Sequence, residues 1–151
     1  MVSQSQINEF LSQPAIGIAG VSRNNKRFGH MVYTELKKKG LKVYPVNPNS
    51  DMIDEDKCYR DIESLPSEVN SVLIVTPKKT TGEIVKQAVD RNIKHIWIQQ
   101  GSGTKEDIEL AKKSGINVIS GLCIFMAADP VQGFHKFHKL IAKFFGGYPK
   151  N

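Results

Sequence analysis

The chain has 151 residues, enough for one domain with a sizeable core, and its 40% hydrophobic and 24% charged residues form an ordinary globular mixture. The longest unbroken apolar run, Leu122 to Ala128, falls far short of the ~20 residues that cross a bilayer, so no membrane partner is expected. A net charge of +6 favours anionic partners, but the basic residues are scattered, without an aromatic-interleaved stripe or a zinc-finger or RRM signature, which argues against nucleic acid.

Strand-like and helix-like segments alternate along the chain. The opening stretch has neither a basic start nor an apolar h-region and is no secretory signal. It carries Ile7, Phe10 and Leu11 at helical spacing and stops before Pro14. Ala15 to Val21 reads as a buried strand ending in a glycine turn, followed by a polar loop over 22–28. A helix is predicted from about Gly29 to Lys39, with Gly40 in the C′ position. The second strand is Lys42 to Asn47, whose internal Pro45 marks an edge position. Residues 49–58 read as a polar, acidic loop and 60–65 as a short helical turn. Ser71 to Val75 is the clearest buried strand. Thr80 and Glu83 have the spacing of a capping box, opening a helix that ends near Asn92. The fourth strand is His95 to Gln99. Thr104 to Asp107 caps a helix closed by Gly115, and Asn117 to Ser120 is the fifth strand. Asp129-Pro130 opens a last helix with Phe134, Phe137, Leu140, Ile141 and Phe144 on one face. That face is to be covered within the chain or by a second copy, giving a monomer or a homodimer.

Five short apolar strands alternating with helices predict a three-layer α/β Rossmann-like fold as a single domain, 1–151. The sheet is expected to be parallel, with strand order 3-2-1-4-5. Ligands of such sheets bind outside the carboxyl ends of the strands. Function is therefore sought in residues 20–28, 47–49, 76–80, 99–104 and 120–123.

The first of these segments combines Gly20, the hydroxyl of Ser22 and the cations Arg23, Lys26 and Arg27 at a helix start. This is a phosphate-friendly composition. It matches neither G-x-G-x-x-G nor G-x-x-x-x-G-K-[ST]. The second strand ends in Val46-Asn47-Pro48, where a NAD-binding unit normally places the acid that holds the ribose diol. After the third strand, Thr76-Pro77-Lys78-Lys79 supplies two cations, placed equally well for phosphate or for solvent. Gln99-Gln100-Gly101-Ser102-Gly103 is polar and uncharged, suited to amide contacts or to a plain loop.

Other residues carry less. His135 and His138 lack a local acidic partner and read as part of a solvated basic face, not a metal site. Cys58 and Cys123 are too few for a disulfide framework and fit a reducing, cytoplasmic setting, Cys123 reading as buried and inert. His30 has no evident orienting partner. No nucleophile–base pair or carboxylate dyad is visible, so the sequence does not argue for an enzyme.

Ile16 to Ser22, Val43-Tyr44-Pro45-Val46-Asn47-Pro48-Asn49 and Val75-Thr76-Pro77 together resemble the CoA-binding domain proteins. These are small stand-alone relatives of the N-terminal domain of the succinyl-CoA synthetase α subunit. The resemblance runs from about Pro14 to Met126. It implies coenzyme A, free or as an acyl-CoA, lying across the strand ends. The implied contacts come from Ser22 and its loop, from Val46 to Pro48, from Thr76 and Pro77, and from Gln100-Gly101. With the residues read directly, the candidate binding set is Gly20, Ser22, Arg23, Lys26, Phe28, Val46, Asn47, Pro48, Thr76, Pro77, Lys78, Gln100 and Gly101. The synthetase's phosphohistidine domain and partner subunit find no room in 151 residues, so its ligase activity is not carried over. The expectation is a CoA carrier, sensor or accessory protein. The alternatives are an NAD(P)-linked oxidoreductase or redox sensor, and a protein-interaction module using the last helix.

Overall fold

The computed structural model describes residues 2–127. In chain order it holds α1 (Gln4–Leu11), β1 (Ile16–Ala19), α2 (Phe28–Lys38), β2 (Val43–Val46), β3 (Met52–Ile53), β4 (Asp56–Lys57), β5 (Ser71–Ile74), α3 (Lys78–Asp90), β6 (His95–Gln99), α4 (Lys105–Lys113), β7 (Asn117–Leu122) and α5 (Ile124–Ala127). The helix expected after Pro130, with its phenylalanine face and His135 and His138, lies outside the described residues. Among the described residues no helix is long and apolar enough to cross a membrane.

Alternation along the strands divides the core in two. Ile16, Ile18, Leu73, Trp97 and Ile119 face α1, α2 and α5, where they meet Ile7, Phe10, Val32, Leu36 and Phe125. Ala19, Val72, Ile74, Ile96, Ile98 and Val118 face the other way, onto Val85 and Ala88 of α3 and Ala111 of α4. These are the three layers expected from the sequence, one residue parity to each face.

The sheet is parallel throughout, with order β2-β1-β5-β6-β7. Counting the five strands in sequence, this is 2-1-3-4-5 and not the expected 3-2-1-4-5. The reason lies at the outer edge of β2, where a single parallel bridge to Tyr59 occupies the neighbouring position. Tyr59 N–H donates to Pro45 O at 2.9 Å and Asn47 N–H donates to Tyr59 O at 2.8 Å. Pro45 thus turns its missing N–H toward the sheet's edge, where a proline is tolerated. The next full strand, β5, crosses to the far side of β1. Its carboxyl end then sits at the switch point, beside that of β1.

Four local readings are corrected. Residues 49–58 contain the β3–β4 hairpin, because Asp54 adopts a left-handed backbone (φ 52°) that closes a tight turn. Residues 60–65 form turns and no helix; they lay Ile62 and Leu65 on the β1 face, with Leu65 Cδ1 2.7 Å from where a Cβ on Gly17 would lie. Arg91 holds this segment by donating to Ile62 O and Pro66 O, both at 2.6 Å. The helix α3 starts at Lys78, so Thr80 and Thr81 fall inside its first turn, and Thr80 donates back to Pro77 O instead of forming a box with Glu83. Finally, β7 continues through Gly121 to Leu122.

Candidate functional site

Two glycines let β1, α2 and β5 meet. Gly20 has φ +104°, and a Cβ there would lie 3.0 Å from Thr76 N and from Val75 C. A Cβ on Gly29 would lie 2.1 Å from Gly20 O, a position no side chain can occupy. Val75 N–H donates to Ala19 O and Gly20 N–H donates to Val46 O, so the carboxyl ends of β2, β1 and β5 are fastened in line. The N-termini of α2 and α3 open at the same end of the sheet.

The β1–α2 loop is shaped by its own side chains. Ser22 Oγ accepts from Asn24 N–H at 3.0 Å, and Asn24 Oδ1 accepts from Lys26 N–H at 2.9 Å. The Ser22 hydroxyl proton remains available to an anion. His30 Nδ1 lies 2.6 Å from Ser22 O, and its Nε2 lies 3.2 Å from Asp54 Oδ2.

The other loops are tied into the same frame. Asn47 Nδ2 donates to Val21 O and Asn47 Oδ1 accepts from Asn49 N–H, both at 2.8 Å. The amide is therefore spent on joining the β1 and β2 ends. Thr81, fully buried, accepts from Thr76 Oγ1 at 2.7 Å and donates to Ser102 O at 2.5 Å, linking the β5 and β6 ends. Gln99 Oε1 accepts from Ile124 N–H, leaving its buried Nε2 without a partner among the described residues.

Among the described residues Arg23, Lys26, Arg27, Lys78 and Lys79 enter no ion pair, and all five are exposed. Lys37, Lys38, Lys42 and Arg60 are each paired with a carboxylate, whereas Lys57, Lys86, Lys94, Lys105, Lys112 and Lys113 enter no ion pair among the described residues. Hydrogen bonds from Lys37 and Tyr33 hold the Asp56 carboxyl below its ordinary range. Burial, then Asp56, pushes the Tyr33 phenol far up, and burial likewise raises the Cys58 thiol, which disfavours its nucleophilic form. The N-cap residues of α2 and α3, Arg27 and Pro77, make no side-chain cap hydrogen bond.

Residues 14–129 match the family described as CoA binding domain. The chain belongs to this family. It is 33% identical over 116 residues to the acetate–CoA ligase (ADP-forming) II of Archaeoglobus fulgidus, covering 69% of this chain and 17% of that one. It is 29% identical over 129 residues to the α subunit of acetate–CoA ligase (ADP-forming) II of Pyrococcus furiosus, covering 78% and 28% respectively. The chain thus spans less than a third of the length of these curated relatives. Among solved structures, a hypothetical protein from Pyrococcus horikoshii superposes with a TM-score of 0.78 at 27% identity, over 83% of this chain and 89% of that one. A conserved hypothetical protein from Pyrococcus furiosus superposes with a TM-score of 0.70 at 35% identity, over 73% and 95%.

Within this CoA binding domain, Gly20, Ser22, Val46, Asn47 and Thr76 lie at the carboxyl ends of three adjacent strands. Arg23 and Lys26 are on the loop and exposed, as are Pro48, Pro77, Lys78 and Gly101, while Gln100 is half-buried and its N–H donates to Leu122 O. Phe28 opens α2 and sets its ring edge-on to Phe125 at 5.5 Å, on the core side of the loop. Sequence reasoning missed three parts: Gly29, Thr81 and the orienting partner of His30. Asp54 stands 24 positions from His30 in the sequence and reaches it only through the hairpin; no local motif marks the pair. The Thr80-Thr81 pair was visible but was read as a cap.

Proposed function

We propose that this protein binds coenzyme A, free or acylated, at the carboxyl ends of β1, β2, β5 and β6 and serves as a carrier, sensor or accessory factor. The observation that carries the reading is the convergence at one end of the sheet. Two helix N-termini without side-chain caps and five cations without ion pairs among the described residues flank the Gly20–Thr76 contact. CoA offers a diphosphate and a 3′-phosphate, which call for backbone donors, a free hydroxyl and cations. Ser22, Arg23 and Lys26 are assigned to the phosphates. Backbone from Val46 to Pro48, Thr76-Pro77 and Gln100-Gly101 lines the rest, with Lys78 at the rim. Asn47 in place of a carboxylate after β2 avoids repelling a nearby phosphate. The titratable groups nearest the loop are committed to structure, His30 through both ring nitrogens and Cys58 through burial, which supports holding the ligand over turning it over.

Thermal denaturation with added ligand tests this. CoA at 100 times its Kd stabilises the folded state by about 2.7 kcal/mol, with dephospho-CoA and NADP weaker at equal concentration. A melting temperature unmoved by millimolar CoA sinks the reading, and stronger stabilisation by NADP replaces it with a dinucleotide one. Native mass spectrometry of freshly purified protein identifies the acyl group, if one travels with it.

A further inference from the structure

The outer edge of β2 is closed along only part of its length. Ile16 N–H donates to Lys42 O and Gly20 N–H donates to Val46 O, so the even-numbered residues of this segment bond inward to β1 and the odd-numbered ones face out. Of the outward residues, Pro45 and Asn47 are taken by Tyr59. Val43 is left open: its N–H and C=O have no hydrogen-bond partner among the described residues. A groove of about 260 Å³ lies at this place, between the end of α2, β4 and Tyr59. Its aromatic walls are Tyr44 and Tyr59, packed edge-to-face with ring centroids 5.8 Å apart. Its charged lining sets Lys37, Lys42 and Lys57 against the single carboxylate of Asp56, and all three lysines are exposed. Lys37 is tied to Asp56 and Lys42 to Glu68. Lys57 enters no ion pair among the described residues and stands 5.0 Å from the centroid of the Tyr59 ring.

We propose that this edge is a docking site for an extended acidic segment of a partner protein, which adds to β2 beside Val43. The open backbone groups select the kind of partner. What accepts from Val43 N–H and donates to Val43 C=O at once is another polypeptide backbone, whereas a phosphate offers acceptors alone. The lysines call for acidic side chains on that segment. A second copy of this chain fits poorly, because two-fold pairing at Val43 sets Lys37, Lys42 and Lys57 against the same lysines of the other copy. Tyr59 ends the open lane at Pro45, so the added segment is short, and the two tyrosines supply the aromatic contact in which such interfaces are enriched. None of the groove's lining residues belongs to the candidate CoA set, so docking here does not depend on CoA.

NMR of the full chain, titrated with the synthetic blocked peptide Glu-Val-Glu-Val-Glu, tests the docking. Shifts of the Val43, Tyr44 and Tyr59 amide signals are expected, with hydrogen exchange at Val43 N–H slowed about tenfold at saturation. Lys57→Glu is expected to raise the Kd of the peptide about fivefold, since it reverses a charge that no carboxylate holds. Val43→Pro removes only an outward N–H, as Pro45 already does two residues on, and is expected to abolish binding while amide signals outside the groove stay in place. No shift at Val43 with millimolar peptide, or equal shifts from Lys-Val-Lys-Val-Lys, overturns the acidic partner. Unchanged affinity in Lys57→Glu does so too, whether or not Val43→Pro folds. A Val43 signal that moves with protein concentration alone assigns the edge to a second copy and likewise overturns it.

Discussion

The N-termini of α1 and α4 carry complete capping boxes, from Ser3 with Gln6 and from Thr104 with Asp107, whereas α2 and α3 begin at Arg27 and Pro77 with no side-chain cap. Lys37 and Lys42 are tied to Asp56 and Glu68, while Arg23, Lys26, Lys78 and Lys79 at the strand ends have no carboxylate among the described residues. At α1 and α4 the chain caps the helix start with its own side chains. At the carboxyl end of the sheet the N-caps of α2 and α3 make no side-chain hydrogen bond, and unpaired cations lie beside them, which suits that end to an anion.

Five experiments break or sharpen this contrast. The largest effect is expected from Gly29→Ala, because its Cβ would overlap Gly20 O in a buried contact. Overpacking of that kind costs about 3 kcal/mol or more, and denaturant unfolding should show it together with loss of CoA binding. A variant of wild-type stability would mean that the two loops are not held by this contact. Next, Arg23→Ala with Lys26→Ala should weaken CoA about 100-fold by calorimetry, with dephospho-CoA less affected and stability changed by no more than about 0.5 kcal/mol. Equal loss for both ligands assigns these cations to the diphosphate; no loss returns them to solvent.

The capped end supplies the control. Thr104→Ala should cost about 1 kcal/mol of stability and leave CoA affinity unchanged. Closing the open end should do the reverse. Arg27→Asp places an acceptor at the N-cap of α2, where the backbone is already extended at φ −82° and ψ 148°. It should raise stability by about 0.5–1 kcal/mol while lowering CoA affinity. A gain in both would contradict the division between stabilising and ligand-binding helix ends. The smallest effect is that of Asp56→Asn. Because the folded-state carboxyl of Asp56 titrates below its ordinary value, its stabilisation is present above the unfolded value and lost as pH falls through the folded one. Acid unfolding below about pH 4 should therefore be shallower in the variant, with a loss at neutral pH of no more than about 1 kcal/mol.

The sheet's five strands were legible because burial on both faces leaves continuous apolar runs such as Ser71 to Val75, α1 because Ile7, Phe10 and Leu11 recur at helical spacing, and α4 because its cap is a local spacing. The candidate cations and Ser22 were legible because a β–α loop keeps its chemistry within a few residues. The start of α3 was misread, since Thr80 and Glu83 satisfy the capping pattern in sequence while Pro77 in fact begins the helix three residues earlier. No local spacing distinguishes a hydroxyl that caps from one that donates to Ser102 O across 21 residues.

By itself, then, the sequence determined the layers, the five strands of the sheet and the acid-free character of the strand-end loops, all properties of short-range pattern and residue type. Tertiary structure decided which strand ends are neighbours. Tyr59 occupies the outer edge of β2, so β5 lies against β1 and brings Thr76 to Gly20. It also decided which side chains are spent: Asn47 on Val21, Thr81 on Ser102, and His30 between Ser22 and Asp54. Such contacts depend on chain crossings and loop closure over tens of residues, and no sequence period encodes them.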